Sequence, residues 1–353
     1  LPIALAVIDK IEKEFGRDET KNFSKSVLLG IAYACSIGGI ATLIGTPPNL
    51  ALVRIHKIAF PDAPQISFGD WILLALPISV FLLSLSAIFL SKIVFRSQTK
   101  IKIGKDFINN EYRSLGRFSF PEKVIAIVFT ATSFLWIFRT DLNLGFLIIP
   151  GWSNLFLVPN FIDDGTIAIT MASILFFIPS KNDHQKTILA ANVFEQIPWA
   201  IILLFGGGFA LAEAFSSSGL SGFIGSKLSS LEEVPVFVLL TIVCLIINFL
   251  TELTSNTATT QMILPILASV SVAIGLNPLL LMIAATLSAS MAFMMPVGTP
   301  PNTIVFASKR LRISDMAKTG FFLNIISVML ISIMVYFVGS FIFNLMEFPA
   351  WAK

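Results

Sequence analysis

Charge is scarce in this chain. Of 353 residues only 13% are Asp, Glu, Lys or Arg, whereas soluble domains carry about a quarter. An ordinary water-soluble domain is thereby excluded. Histidine and cysteine are scarcer still. His56 and His184 stand alone in what reads as loop sequence, so no metal-ligand cluster can be assembled. Cys35 and Cys244 each fall inside an apolar run and read as small packing residues. An intramembrane enzyme would need a nucleophile with its base, or a metal. Neither is on offer, so no enzymatic activity and no cofactor are expected. The net charge of +3 is small and says nothing about nucleic acid, and no nucleic-acid partner is expected.

What the chain has instead is apolar length. Hydrophobic residues make up 55% of it, with 33 Phe, and several runs reach the roughly 20 residues that cross a bilayer core. The expected fold is an all-α polytopic membrane protein. Its segments read as an apolar start at 1–8, a broken helix at 26–53 and helices at 70–91, 121–140, 163–180 and 195–216. A hairpin at 235–276 with its tip near 252–257, a second broken helix at 279–308 and a last helix at 316–345 follow. With 9–25 on the cytoplasmic side, 91–123, 181–194 and 309–318 share that side. These four segments hold 5, 8, 2 and 4 of the 24 Lys and Arg. The opposite side keeps Arg54, Lys57, Arg139, Lys227 and Lys353. That asymmetry sets the orientation. The 91–123 loop mixes its basic residues with Phe107, Tyr112, Leu115 and Phe118. It reads as an interfacial helix or a solvated linker.

One hexapeptide recurs almost unchanged: "IGTPPN" at 44–49 and "VGTPPN" at 297–302. "LPIALAV" at 1–7 also aligns with "LPILASV" at 264–270, and "SFGDW" (67–71) echoes "RISDM" (312–316). The chain therefore reads as two homologous halves, the first with a longer charged loop at 9–25. By that alignment a first hairpin tip would fall before Leu1. The sequence is expected to be an N-terminally truncated fragment that does not transport alone.

Proline lacks an N–H, clashes with the preceding turn and pushes the residue before it out of helical geometry. Thr-Pro-Pro therefore unwinds a membrane helix, exposing carbonyls and N–H groups that lipid cannot satisfy. Asn49 and Asn302 are expected to cap the restarted helices. The stretch "TSNTATT" (254–260) sets hydroxyls and amides between apolar runs, and unpartnered polar groups there would cost about 1–3 kcal/mol each. Breaks and tip together indicate a binding cavity of the transporter kind, with half-helix ends facing an anion and unwound carbonyls facing sodium. Neither motif contains Lys or Arg, and a helix end supplies only about half a charge. A divalent anion would therefore need co-bound cations. Glu213 and Glu252 are the membrane-depth carboxylates. Glu252 adjoins the tip, as a functional group or as a group orienting it. "GGG" at 206–208 reads as a close-packing site, and 216–231 as an external surface helix.

"LLFGGGFALAEAFSSSGLSGFIG" (203–225), "ELTSNTATT" (252–260), "SIGGIATLIGTPPN" (36–49) and "MPVGTPPNTIVF" (295–306) together resemble the divalent anion/sodium symporters. These are the di- and tricarboxylate carriers of the DASS family. The resemblance implies a homodimer of inverted-repeat protomers working as elevators in the cell membrane. The transport domain would comprise 1–96 and 235–347, and the scaffold 121–230, joined through the basic linker 97–120. It assigns substrate carboxylates to Ser255, Asn256, Thr257, Thr299 and Pro300, with Thr46 and Pro47 from the first half. It assigns sodium to Thr251, Thr254, Asn256 and Gly298, and a second sodium to a site that includes Gly45. Gly298 stands where the family pattern has Ala, and Thr254 where small residues vary. The expected function is succinate- or citrate-like anion transport coupled to sodium. Sodium-independent exchange and sulfate symport are the alternatives within the family, and an ion channel the alternative outside it.

Overall fold

Proline decides where many of the helices start. Lacking an N–H, it fits a first helical turn, whose N–H groups have no intrahelical partner. A computed structural model describes all residues except 97–108, 110–112, 114–115, 145–146, 183–184, 191, 198, 228–231 and 353, and 74% of the described residues are helical. Helix α1 (Pro2–Phe15) and α2 (Arg17–Ile40) are followed, after a break, by α3 (Pro47–Ala59). Next come α4 (Phe68–Ile88, extended by a π-helical stretch to Val94), α5 (Phe120–Ile137) and α6 (Asp164–Phe177). After α7 (Trp199–Ser217) and α8 (Leu220–Lys227), the hairpin is formed by α9 (Val236–Thr251) and α10 (Asn256–Ala273). The second broken helix is α11 (Pro278–Ala289) with α12 (Pro300–Phe306), and α13 (Ile313–Met334) follows.

Two expectations need correction here. The charged stretch 9–25 is helical rather than a loop: α1 runs on to Phe15, and Gly16 alone (φ 85°) separates it from α2. The fold is also not purely helical. Leu142–Asn143 pairs with Ile148–Ile149, and Pro179–Asn182 with Gln185–Thr187, as short antiparallel ribbons. The basic linker with its candidate interfacial helix lies largely outside the described residues, as does His184. Among the described residues, four helical stretches are long and apolar enough to cross a membrane: Arg17–Ile40, Phe68–Val94, Phe120–Ile137 and Ile313–Phe343.

The chain divides into two compact units. The larger comprises 1–66, 71–100 and 202–353. Its axle is α11, in which all 12 residues are buried, enclosed by α3, α9, α10 and α13. Trp71 Nε1 and Ser79 Oγ on α4 donate to the carbonyls of Ile40 and Ile37, both at 2.9 Å, and so clasp the end of α2. Arg310 pairs with Asp9 and Glu12, and Lys25 with Asp315 at 2.6 Å, tying segments of the two sequence halves together. His56 is not in a loop. It lies buried in α3, edge-on to Trp351 and close to Phe60. Cys244 packs in the core as expected, but Cys35 lies on an exposed face of α2.

The smaller unit comprises 67–70 and 101–201. A capping box at Ser119 and Glu122 opens α5, and the Asp163 side chain opens α6. Arg139 is buried where they meet. Its Nε pairs with Asp164 at 2.7 Å and its Nη1 donates to the Ile162 carbonyl.

Candidate functional site

Both Thr-Pro-Pro-Asn motifs build the same local structure. Thr46 (φ −148°, ψ 141°) and Thr299 (φ −139°, ψ 150°) are extended, as a residue preceding proline must be, and the helix restarts at the first proline. The capping expectation fails for a physical reason. Prolines occupy the first two helical positions and supply no N–H for a cap to satisfy. The position before them is threonine, whose side chain makes no capping bond. The asparagine, third in the helix, instead turns its amide back across the break. Asn49 Nδ2 donates to the carbonyls of Thr42 (2.8 Å) and Ile40 (3.5 Å). Asn302 Nδ2 donates to those of Ala292 and Met295, both at 3.1 Å. Each asparagine thus ties its restarted helix back to carbonyls before the break, and Asn302 supplies the donor to the Ala292 carbonyl. Gly45 closes the first break, because a Cβ there would overlap the Gly39 carbonyl oxygen.

The second break is held more elaborately. Glu252, at the end of α9 and 3% exposed, accepts from the backbone N–H groups of Phe293 (2.7 Å), Met294 (2.9 Å) and Met295 (2.9 Å). Asn324 Nδ2 of α13 donates to the same carboxylate at 2.7 Å. Tyr33 of α2 donates to the Phe293 carbonyl at 2.9 Å, and Asn248 to that of Met291 at 2.8 Å. On α13, Gly320 lies directly under the Phe293–Met294 peptide, where any Cβ would collide. Much of the unwound backbone therefore finds its partners in this chain's own side chains, and not in a ligand.

The hairpin tip shares this framework. Ser255 is the N-cap of α10 and accepts from Ala258 N–H at 3.5 Å. Thr254 Oγ1 donates to the Leu250 carbonyl and lies 2.6 Å from Thr259 Oγ1. Thr251 Oγ1 donates to the Asn248 carbonyl. Tip and break meet at Glu252, whose Oε2 would lie 3.3 Å from a Cβ on Gly298.

Of the predicted residues, Thr251, Gly298 and Thr299 are buried, and Asn256, Thr257 and Thr46 are half-buried. Gly45, Pro47, Thr254, Ser255 and Pro300 are exposed. Of the second-half residues, Thr251 adjoins Glu252 in sequence and Gly298 lies against it. Thr46 and Pro47 make no side-chain hydrogen bond to them, although α3, which they open, packs on α10 and α11. Asn256 Oδ1, Thr299 Oγ1, Asn302 Oδ1 and Asn49 Oδ1 are buried without a partner, as are polar atoms of His56, Asn248, Gln261, Ser271, Ser288, Ser290 and Ser332. Such atoms cost about 1–3 kcal/mol each. In Asn49 and Asn302 the amide donors are engaged while the oxygen has no partner. Two cavities lie elsewhere in the larger unit and include none of these residues. One of about 290 Å³ is lined by Ile55, Phe60, Pro265 and Val272, and one of about 240 Å³ by Glu12, Lys21, Lys309 and Arg312.

Sequence reasoning did not find Tyr33, Gly320 or Asn324. Only the four-residue spacing of Gly320 and Asn324, which puts them on one helical face, hinted at the last two. Glu213 is exposed on α7. In the glycine triplet, a Cβ on Gly206 or Gly207 would meet nothing, whereas one on Gly208 would collide with Gln261.

A family model described as "Sodium:sulfate symporter transmembrane region" matches residues 1–345. This chain belongs to that family. Among relatives, it is 41% identical over 344 residues to a sodium-dependent dicarboxylate transporter, SdcS, of Staphylococcus saprophyticus. It is 39% identical over 344 residues to the protein of that name in Staphylococcus aureus. Each match covers 96% of this chain and 64% of the relative, so the chain spans less than two thirds of the proteins it matches. Members of this transporter family are not enzymes, and the apolar helices of this one place it in a membrane.

Proposed function

We propose that this protein is a secondary transporter that moves a dicarboxylate anion across the cell membrane together with sodium. The observation that carries the reading is the set of buried, partnerless oxygens on Asn256, Thr299 and Asn302, lying on the very elements that proline and the polar tip interrupt. Oxygen acceptors without a neighbouring Lys or Arg suit a hard monovalent cation, and a cation so bound offsets the charge of an anion that follows. Ser255, Asn256 and Thr257 with Thr299 and Pro300 would hold one end of the substrate, and Thr46 and Pro47 part of the other. Thr251, Thr254, Asn256 and Gly298 would surround one sodium, and Gly45 would contribute to a second. The prolines leave few free N–H groups at the two restarted helices, so side chains and cations carry more of the anion's charge than backbone amides do.

The printed names of the two relatives favour a dicarboxylate over sulfate, and the intact Ser255-Asn256-Thr257 tip is in keeping with carboxylate recognition. The repeated motif supports an inverted repeat, and an elevator-type homodimer accords with it. In that arrangement 1–96 and 235–347 would move against 121–230.

Uptake of radiolabelled succinate into proteoliposomes by the full-length protein tests the reading. Uptake should fall to background when choline replaces sodium. Succinate binding indifferent to that exchange would remove the coupling. Asn256→Ala should abolish uptake while the protein stays folded and monodisperse, and normal uptake by this variant would remove the central residue assignment.

A further inference from the structure

Glu252 is placed against electrostatic convenience. It caps the C-terminal end of α9, where the helix dipole disfavours negative charge. It is 3% exposed, and no Lys or Arg pairs with it among the described residues. Every contact to its carboxylate is a donor: three successive backbone N–H groups and the Asn324 amide. Acceptance from all sides is how an ionised carboxylate is used. Burying a charge is costly unless it is paired or coordinates a metal ion.

Neutral oxygens that could receive such a cation lie on the elements that flank it. Thr251 adjoins it in sequence, a Cβ on Gly298 would lie 3.3 Å from its Oε2, and Asn256 at the hairpin tip and Thr299 at the second break keep buried oxygens without partners. We infer that Glu252 is the positioning residue of the cation site formed by Thr251, Thr254, Asn256 and Gly298. In this role it fixes the unwound 293–298 segment and supplies the negative charge that the neutral ligands lack. The same charge repels a substrate carboxylate until sodium is present, so the anion follows the cation. This inference rests on the sodium-coupled reading proposed above.

The test measures sodium in two ways: the concentration giving half-maximal thermal protection of the purified protein, with choline as the balancing ion, and the sodium dependence of succinate binding. For Glu252→Gln we expect half-saturation by sodium to rise at least tenfold. Succinate affinity at saturating sodium should stay within about threefold of the original. Glu252→Asp, which keeps the charge on a shorter stem, should recover part of that loss. A role confined to holding the fold would lower stability without moving the sodium curve and would draw no benefit from aspartate. An unchanged sodium curve in Glu252→Gln overturns the inference, as does an aspartate variant no better than glutamine. If the glutamine variant does not fold, Asn324→Ala serves in its place. It removes one donor from the carboxylate and should weaken sodium at least threefold; an unchanged curve again overturns the inference. If the unaltered protein ignores sodium, the coupled reading itself falls, an outcome distinct from a sodium-responsive protein in which Glu252→Gln makes no difference.

Discussion

Gly320→Ala is the sharpest probe of how the second break is built. The new methyl would sit 2.5 Å from the Met294 nitrogen and nearer still to the Phe293 carbonyl. These are backbone atoms, so no side-chain rotation relieves the overlap. Either α13 or the unwound segment must shift by about 1 Å, the gap to ordinary van der Waals contact. The segment is held by three bonds to Glu252 between 2.7 and 2.9 Å and one from Tyr33 at 2.9 Å. Hydrogen bonds to charged groups contribute about 1.5–3 kcal/mol each, and overpacking alone costs about 1–3 kcal/mol. Losing one such bond along with the overlap comes to roughly 3–5 kcal/mol. Thermal unfolding in detergent should then move down by about 5 °C or more. Gly206→Ala is the matched control, because its Cβ would meet nothing and alanine favours a helix by up to about 1 kcal/mol. Equal melting temperatures for Gly320→Ala and the unaltered protein would refute the claim that backbone rests directly on α13.

Thr299→Val should separate binding from stability. Its hydroxyl is buried without a partner, so the fold should gain up to about 1 kcal/mol while succinate uptake falls, as read by melting and transport on the same preparation. Asn302→Ala leaves the Ala292 carbonyl without its donor and should destabilise by about 1–3 kcal/mol, whereas Asn49→Ala should cost about 1 kcal/mol, because the Thr42 and Ile40 carbonyls keep their bonds from Gly45 N–H and Trp71 Nε1; melting curves check both. Arg310→Ala should cost no more than about 1 kcal/mol, because its pairs with Asp9 and Glu12 lie near the surface, and the difference should shrink in high salt.

Much of this architecture was legible in the sequence because proline acts locally. Both breaks fall at the Thr-Pro-Pro motifs and the hairpin turns at 252–255. The paired "SFGDW" and "RISDM" stretches each open a long helix with an acidic residue three places past its cap, Asp70 and Asp315. What escaped were features set by distant sequence. Charge density in 9–25 suggested a loop, yet Asp9, Glu12 and Lys25 sit on helices and find partners at Arg310, between α12 and α13, and at Asp315 on α13. Tyr33 reaches a carbonyl 260 positions away, which no local pattern encodes. The capping expectation went wrong because asparagine's preference for helix starts was weighed without counting the N–H groups that two prolines remove.

The length of α11 has a consequence of its own. Twelve residues at 1.5 Å apiece extend about 18 Å, against the roughly 30 Å of hydrocarbon in a bilayer. A rod of that length entering from one surface stops only a little past halfway. A helix of that length that starts at one surface would carry its terminus, and with it the Glu252 clasp, to the depth most remote from either aqueous phase.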